Sequence, residues 1–245
     1  MYKPILVTGA SSGIGEATAI LLAQRGFRVF AGARRIERLK PLEGLQGGRI
    51  TAVAIDVTDT ASVERAIRSI NDAAGPLFGL VNNAGVSVTG PAEFITEAEW
   101  RRQFETNVFG LMTVTRAVIG QMRTQRSGRI VNIGSVAGRI AAPFMSAYAA
   151  SKHAVEGLSD SLRRELKPFG IRVVVVRPGF IRTEFGEQEQ EGLARHLEPN
   201  NPYAADVAAF KAWHAKGHPN GPPPSAVADT VADAMTATSP HSRYT

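Results

Sequence analysis

A serine, a tyrosine and a lysine fall within one short stretch, Ser135-Val-Ala-Gly-Arg-Ile-Ala-Ala-Pro143-Phe-Met-Ser-Ala-Tyr148-Ala-Ala-Ser-Lys152. Ser135 ends a strand-like run, Arg129-Ile-Val-Asn-Ile-Gly134, and Tyr148 and Lys152 follow four residues apart among alanines. On a helix, positions i and i+4 share a face. The phenol and the ammonium can then point together into whatever cleft the serine faces. A free tyrosine has a pKa of ~10, too high for efficient proton transfer near neutrality. A positive Lys152 beside it would favour the phenolate and lower that value. Tyr148 could give a proton to a carbonyl oxygen or take one from an alcohol. Ser135 could hydrogen-bond the same oxygen as charge grows on it. Taken singly, each has a plainer reading: tyrosine as packing, lysine as a solvated helix residue.

Such a centre needs a redox reagent, and an upstream loop fits one. Thr8-Gly9-Ala-Ser-Ser-Gly13-Ile-Gly15 joins a strand pattern to a helix pattern. Glycines there let the backbone turn tightly and approach a pyrophosphate resting on the helix N-terminus. The spacing is Gly-x-x-x-Gly-x-Gly rather than Gly-x-Gly-x-x-Gly. After the second strand comes Ala33-Arg34-Arg35, where a carboxylate would bind ribose hydroxyls. A guanidinium there can instead bind a 2′-phosphate, which favours NADP(H) over NAD(H), with Arg34 ahead of Arg35. Asp56, after the third strand, either accepts from an adenine amino group or caps its own turn. Asn82-Asn-Ala-Gly85 ends the fourth strand. Asn83 reads as a tie between strands, with Asn82 and Ala84 lining the adenosine side. Asn107 interrupts a long helical run, and asparagine is a poor helix former. A kink bonded to water is the expectation there.

The elements that must position these residues alternate. Strand patterns fall at Ile5–Val7, Arg28–Ala33, Ile50–Asp56, Phe78–Val81, Ile130–Ile133 and Ile171–Val176. Helices are expected from Gly13 to about Arg25, briefly around Glu37–Leu42, after a Thr58 or Thr60 cap, from Glu97 to Gln125, through Tyr148 to about Pro168, and from Ser225 to about Ala237. This order predicts an α/β fold: one Rossmann-like, doubly wound parallel β-sheet with helices on both faces. A single catalytic domain is expected over 1–245. Residues 184–224 break the rhythm and read as a substrate lid holding an amphipathic segment, Tyr203–His214.

The 245 residues include no cysteine, which excludes disulfides, thiolate metal sites and a cysteine nucleophile. The net charge of +6 is dispersed among acids, so no nucleic-acid partner is expected. No apolar run approaches the ~20 residues of a membrane span. A strand pattern begins almost at once, leaving no room for a signal peptide, and a cytoplasmic protein is expected.

With these motifs in their order, the chain resembles the short-chain dehydrogenase/reductase family from Lys3 to about Thr183. The carrying residues are Thr8–Gly15, Asp56, Asn82–Gly85, Asn107, Ser135, Tyr148 with Lys152, and Pro178-Gly-Phe-Ile-Arg-Thr183. The resemblance implies a Ser135–Tyr148–Lys152 centre, with Asn107 holding a water that relays protons to Lys152. It implies cofactor contacts from Gly9, Ser11, Ser12, Gly13, Ile14, Gly15, Arg34, Arg35, Asp56, Val57, Asn83, Ala84 and Gly85. To these it adds Tyr148, Lys152, Pro178 and Gly179, with Ile181 and Thr183 on the nicotinamide carboxamide. It carries no resident metal.

Leu166-Lys-Pro-Phe-Gly170 and Ser242-Arg-Tyr244 resemble the branch acting on hydroxysteroids, retinoids and similar lipophilic alcohols. Relatives continue from an Arg-Tyr-like segment into a seventh strand. This chain ends at Thr245, so either six strands or a missing tail is expected. The resemblance also implies a homodimer or homotetramer through the helices flanking the fifth strand. The leading function is NADP(H)-dependent interconversion of a secondary alcohol and a ketone or aldehyde, on a small lipophilic molecule. A 3-oxoacyl carrier-protein reductase would need a basic face, for which Arg126, Arg129, Arg163 and Arg164 are candidates. A non-catalytic NADP(H) sensor or scaffold would be marked by loss of Tyr148 or Lys152, and both are present.

Overall fold

The structure, a computed structural model, describes residues 2–245. Seven parallel strands form one sheet in the order β3-β2-β1-β4-β5-β6-β7. They are β1 (Pro4–Thr8), β2 (Arg28–Ala33), β3 (Ile50–Ala54), β4 (Gly79–Asn82), β5 (Gly128–Ile133), β6 (Ile171–Val176) and β7 (Arg243–Tyr244). The helices are α1 (Gly13–Gln24), a single turn α2 (Leu45–Gly48), α3 (Thr60–Ala74), α4 (Glu97–Phe104) and α5 (Leu111–Gln125). They continue as α6 (Ser146–Leu166), α7 (Phe185–Ala194), α8 (Ala204–His214), α9 (Gly217–Asn220) and α10 (Pro224–Thr236).

Apolar runs such as Ile-Arg-Val-Val-Val-Val in β6 reflect a sheet covered on both faces. On one face Leu22 of α1 and Val231 of α10 pack on Ile5, Val29 and Val131. On the other, Ile70 of α3, Val118 of α5 and Leu162 of α6 pack on Leu6, Leu80 and Ile130. No helix among the described residues is long and apolar enough to cross a membrane.

Strand order reverses between β1 and β4, and side chains tie the two ends together. Thr8 Oγ1 donates to the Val81 carbonyl and accepts from Asn83 N–H and Ala84 N–H, both at 3.1 Å. Asn83 Nδ2 donates to the Thr8 and Gly9 carbonyls, each at 3.0 Å. Asn83 is thus the expected tie. Asn82 is not on the adenosine side: it is buried and donates to Thr115 Oγ1 and Asn132 Oδ1, both at 2.9 Å. Asn132 in turn donates to Ser159 Oγ, so a polar chain runs from β4 through β5 to α6.

The run expected as one helix over Glu97–Gln125 is broken by a π-turn at Glu105–Gly110. The regular helix is therefore interrupted at Asn107, but the side chain bonds protein groups rather than water. Its Oδ1 accepts from Val86 N–H at 2.9 Å, and its Nδ2 donates to the Val86 carbonyl and Ser151 Oγ. A π-turn leaves room for such a side chain at the ladder's expense. Gln103 braces the same loop through Val86 and Val88. The helix carrying Tyr148 is thereby fixed to the loop after β4.

Three smaller expectations change. Asp59, not Thr58 or Thr60, caps α3 by accepting from Ala61 N–H. The region Glu37–Leu42 forms two 3-10 turns, Ile36–Arg38 and Lys40–Leu42. A seventh strand does form, two residues long. Arg243 pairs with Glu156 and Asp160 on α6, and the Val175 N–H and Arg177 N–H donate to the Ser242 and Tyr244 carbonyls. A few anchored residues therefore suffice to extend the sheet.

Gly15 is closed in by neighbours rather than open to the cleft: a Cβ there would strike the Gly9 carbonyl and lie 2.5 Å from Asn83 Nδ2. Gly15→Ala is expected to lower unfolding stability by about 1–3 kcal/mol, read from urea denaturation; an unchanged midpoint would mean that the loop yields freely.

Candidate active site

A cleft of about 520 Å³ lies along the C-terminal strand ends, across the reversal between β1 and β4. Ligands of doubly wound sheets bind at such reversals. Nearly every residue singled out from the sequence faces it. Gly9, Ser11, Ser12, Gly13 and Ile14 come from the β1–α1 loop, and Arg34 and Arg35 from the end of β2. Asp56 and Val57 follow β3, and Asn83, Ala84 and Gly85 follow β4. Ser135, Tyr148, Lys152, Pro178, Gly179, Ile181 and Thr183 complete that set. Gly15 and Asn107 do not line the cleft; one is packed behind the loop and the other holds the π-turn.

The β1–α1 loop can hold a phosphate. Ser12 at the N-cap of α1 is extended and makes no capping bond with its side chain. The first N–H groups of the helix are therefore open to an anion, aided by the helix dipole. Arg34 and Arg35 are exposed where the cleft passes β2. A third arginine, Arg38, also lines it and reaches Glu184 at 3.7 Å. The Arg-Arg-x-x-Arg spacing could have flagged it. Asp56 does cap its own turn: Oδ1 accepts from Thr58 N–H at 2.9 Å and from the Thr58 hydroxyl at 2.7 Å.

The three polar groups of the opening stretch share one wall. Ser135 Oγ accepts from Ala137 N–H at 3.1 Å, which leaves the hydroxyl hydrogen to donate elsewhere. Tyr148 and Lys152 are both buried on α6. Lys152 Nζ donates to the Ile133 carbonyl at 2.8 Å and lies 5.6 Å from the centre of the Tyr148 ring. The sequence expectation that Lys152 lowers the phenol's pKa does not hold for the protein alone. Burial raises Tyr148 well above the usual phenol value; the carboxylate of Glu189 adds to this and the Ser135 hydroxyl partly offsets it. Burial also lowers Lys152, to about 8. Desolvation disfavours both charged forms, and the ammonium is engaged by a carbonyl rather than by the phenol.

The far wall was not read as chemistry from the sequence. It is built from Phe180, Phe185, Phe210 and Trp213, with Glu189, His214 and His218 among them. Glu189 is 3% exposed, and burial opposes its ionisation. Hydrogen bonds from His214, His218 and Ser87 outweigh that and hold its pKa below the usual carboxylate value. The spacing His-x-x-x-His at 214 and 218 was the available signal.

The four arginines named for a basic face toward an acidic carrier protein are not placed alike. Arg129 is buried and donates to the Ala234 and Ala237 carbonyls. Arg163 bonds Asp160 and the Val173 and Ser242 carbonyls, and Arg126 bonds the Pro168 carbonyl. Of the four candidates, Arg164 alone is both exposed and without such a bond among those described.

A family model described as short chain dehydrogenase matches residues 3–194. A 3-ketodihydrosphingosine reductase from Bacteroides thetaiotaomicron is 38% identical over 200 residues, 82% of this chain and 71% of that protein. Retinol dehydrogenase 5 from Mus musculus is 40% identical over 182 residues, covering 73% of this chain and 57% of its own length. Among solved structures, ElxO with NADP bound superposes with a TM-score of 0.80 at 26% identity, covering 99% of this chain and 96% of its own. With a serine, tyrosine and lysine gathered on one wall of a dinucleotide-type cleft, the chain belongs to the short-chain dehydrogenase family, oxidoreductases acting on CH–OH and C=O groups.

Proposed function

We propose that this protein is an NADP(H)-dependent oxidoreductase that interconverts a secondary alcohol and a ketone or aldehyde on a lipophilic substrate. One observation carries the reading: Ser135, Tyr148 and Lys152 line the same cleft as an uncapped helix N-terminus and a cluster of arginines. The nicotinamide, when bound, supplies or accepts the hydride. Everything else falls to the chain. The open N–H groups from Ser12 to Ile14 hold the pyrophosphate. Arg34, with Arg35 and Arg38 beside it, holds the 2′-phosphate. Asp56 and Val57 bound the adenine, Asn83 to Gly85 the adjoining stretch, and Pro178, Gly179, Ile181 and Thr183 the carboxamide end.

Ser135 donates its free hydrogen to the substrate oxygen, and Tyr148 passes a proton to or from that oxygen. The raised phenol keeps its proton in the resting protein, which is the form needed to protonate a carbonyl. Lys152 would hold the ribose hydroxyls of the bound cofactor and would keep a positive charge near the phenol when it turns anionic. Asn107 acts at one remove, by positioning α6 against the loop after β4. Residues 184–224 serve as a substrate lid, and the aromatic wall they bring favours an apolar substrate, as the reductase and retinol relatives also do. Incubation with NADPH and long-chain ketones or aldehydes, followed at 340 nm, tests the reading. Cofactor binding with no turnover across the panel would favour a sensor.

Tyr148→Phe is expected to cut kcat by about 10²–10⁴-fold while NADPH affinity, from fluorescence titration, stays within about two-fold. Activity close to wild type would remove the phenol from the mechanism.

Arg34→Ala is expected to raise KM for NADPH by about 10–100-fold, the worth of a charge-assisted hydrogen bond, and to leave KM for NADH nearly unchanged. Equal effects on both would remove the 2′-phosphate assignment.

Lys152 also leaves a thermodynamic signature. Its displacement from 10.5 to about 8 corresponds to about 3 kcal/mol. Below pH 8 folded and unfolded chains both hold the proton and the cost of burying the charge is fully present. Between about 8 and 10.5 the folded chain holds fewer protons than the unfolded one, so stability from this group rises with pH. Lys152→Met removes that slope, and the stability difference is expected to move in favour of wild type from pH 8 to 10. Parallel pH curves for the two proteins would show that no buried ammonium titrates there.

A further inference from the structure

Glu189, His214 and His218 converge deep in the far wall, on α7, at the end of α8 and on α9. One potential ligand atom from each lies within 4.8 Å of the other two. Glu189 Oε2 is 3.0 Å from His218 Nε2 and 3.3 Å from His214 Nε2. Donors about 2.0–2.2 Å from a tetrahedral zinc ion stand about 3.3–3.5 Å apart, so these atoms can accept an ion with small shifts. Spacing of two histidines by three residues is also a recurrent ligand pattern.

The outer contacts aim the donors inward. His218 Nδ1 is 2.8 Å from the Ile181 carbonyl, which can only accept, so Nδ1 carries the ring hydrogen. In the neutral ring Nε2 meets the carboxylate as a lone pair, a pairing relieved either by a proton, which makes His218 the donor to Glu189 described above, or by a metal ion in that proton's place. His214 Nδ1 lies 2.9 Å from the Gln190 side-chain nitrogen, while Gln190 Oε1 is buried without a partner. Turning that amide over lets Oε1 accept from His214 Nδ1–H and puts the amide nitrogen in the unpartnered place. It also leaves a second Nε2 lone pair facing Glu189. The Ser87 hydroxyl holds the other Glu189 oxygen at 2.8 Å. A carboxylate and two imidazoles, each anchored by its remaining polar atom, is how metal ligands are oriented. The Phe180 ring, 5.1 Å from His214 and 5.0 Å from His218, keeps the cluster dry on one side.

We propose that Glu189, His214 and His218 bind one divalent first-row transition metal ion of the zinc class, which clasps α7, α8 and α9 together and keeps an open coordination position toward the cleft. Two imidazoles and a carboxylate suit zinc and its neighbours better than magnesium or calcium. All three residues line the cleft, so the open position is available to water or to an oxygen of the substrate.

The test uses the full chain stripped with EDTA. Zinc titrated against a chromophoric chelator is expected to bind at one per chain and to raise the thermal midpoint. Cobalt(II) is expected to give visible d–d bands of tetrahedral intensity. His218→Asn and His214→Asn, each checked for folding by circular dichroism, are expected to weaken zinc binding by at least about 100-fold and to abolish the bands. The proposal is overturned if wild type shows no cobalt bands and no zinc-dependent midpoint, which would leave a protonated histidine–carboxylate pair in the cluster. Equal zinc affinity in wild type and both folded variants would also overturn it, by placing the ion elsewhere.

Discussion

The hydrogen bonds that join Thr8 to Asn83 hold open the crevice on which the rest of the molecule depends. Two parallel strands, β1 and β4, lead their following helices to opposite faces of the sheet, so nothing covers the gap between their ends. Left alone, that gap would expose backbone groups on both sides. Thr8 Oγ1 and Asn83 Nδ2 satisfy them within the protein, using one hydroxyl and one amide. The ends are thereby fixed at a spacing that only glycine at position 15 tolerates. Further along, Asn107 and Ser151 attach α6 to the same loop. The position of Tyr148 relative to the phosphate loop is thus set by a chain of hydrogen bonds between buried groups, not by loops free to drift.

The second governing constraint is the burial of two ionisable groups in one wall. Neither Tyr148 nor Lys152 has a bonded partner of opposite charge to offset desolvation, so both are pushed toward their neutral forms. A resting pair of this kind stores electrostatic cost in the fold. A negative oxygen forming nearby would relieve that cost on the lysine, because it would supply the missing counter-charge. This is the arrangement expected of a site complementary to a developing anion rather than to a neutral ground state.

Much of this was legible in the sequence because it is local. A strand ending in Gly9-Ala-Ser-Ser-Gly13, an Arg34-Arg35 pair at the next strand end and a Tyr148–Lys152 spacing of four each depend on contiguous residues whose periodicity fixes direction. What could not be read depends on partners remote in sequence. Asn82 and Asn83 are adjacent and chemically identical, yet one ends β4 with its side chain in the core and the other opens the loop beyond and ties two strand ends. Arg129 and Arg163 look like surface charges until the carbonyls of 234, 237 and 242 are brought beside them. The pKa directions also escaped, since spacing gives proximity but not the depth of burial, and here burial dominates.

The two halves of the cleft are built on different principles, yet they are not electrically independent. The strand-end half is made of backbone, small residues and short polar side chains, so its geometry is fixed by the sheet. The far half, from Phe180 to His218, is made of aromatic rings around one buried carboxylate. Side chains can be exchanged in such a wall without disturbing the sheet, which lets substrate preference change while the chemistry stays in place. Glu189 is the exception. Its charge bears on the Tyr148 phenol across the cleft and holds the proton on more tightly, while His214 and His218 hold that charge in place from behind. Any positive partner beside Glu189 therefore lowers the barrier to forming the phenolate, although it touches neither the tyrosine nor the substrate carbon. On the proposed mechanism, a wall that reads as a specificity surface is in this respect part of the proton-transfer machinery.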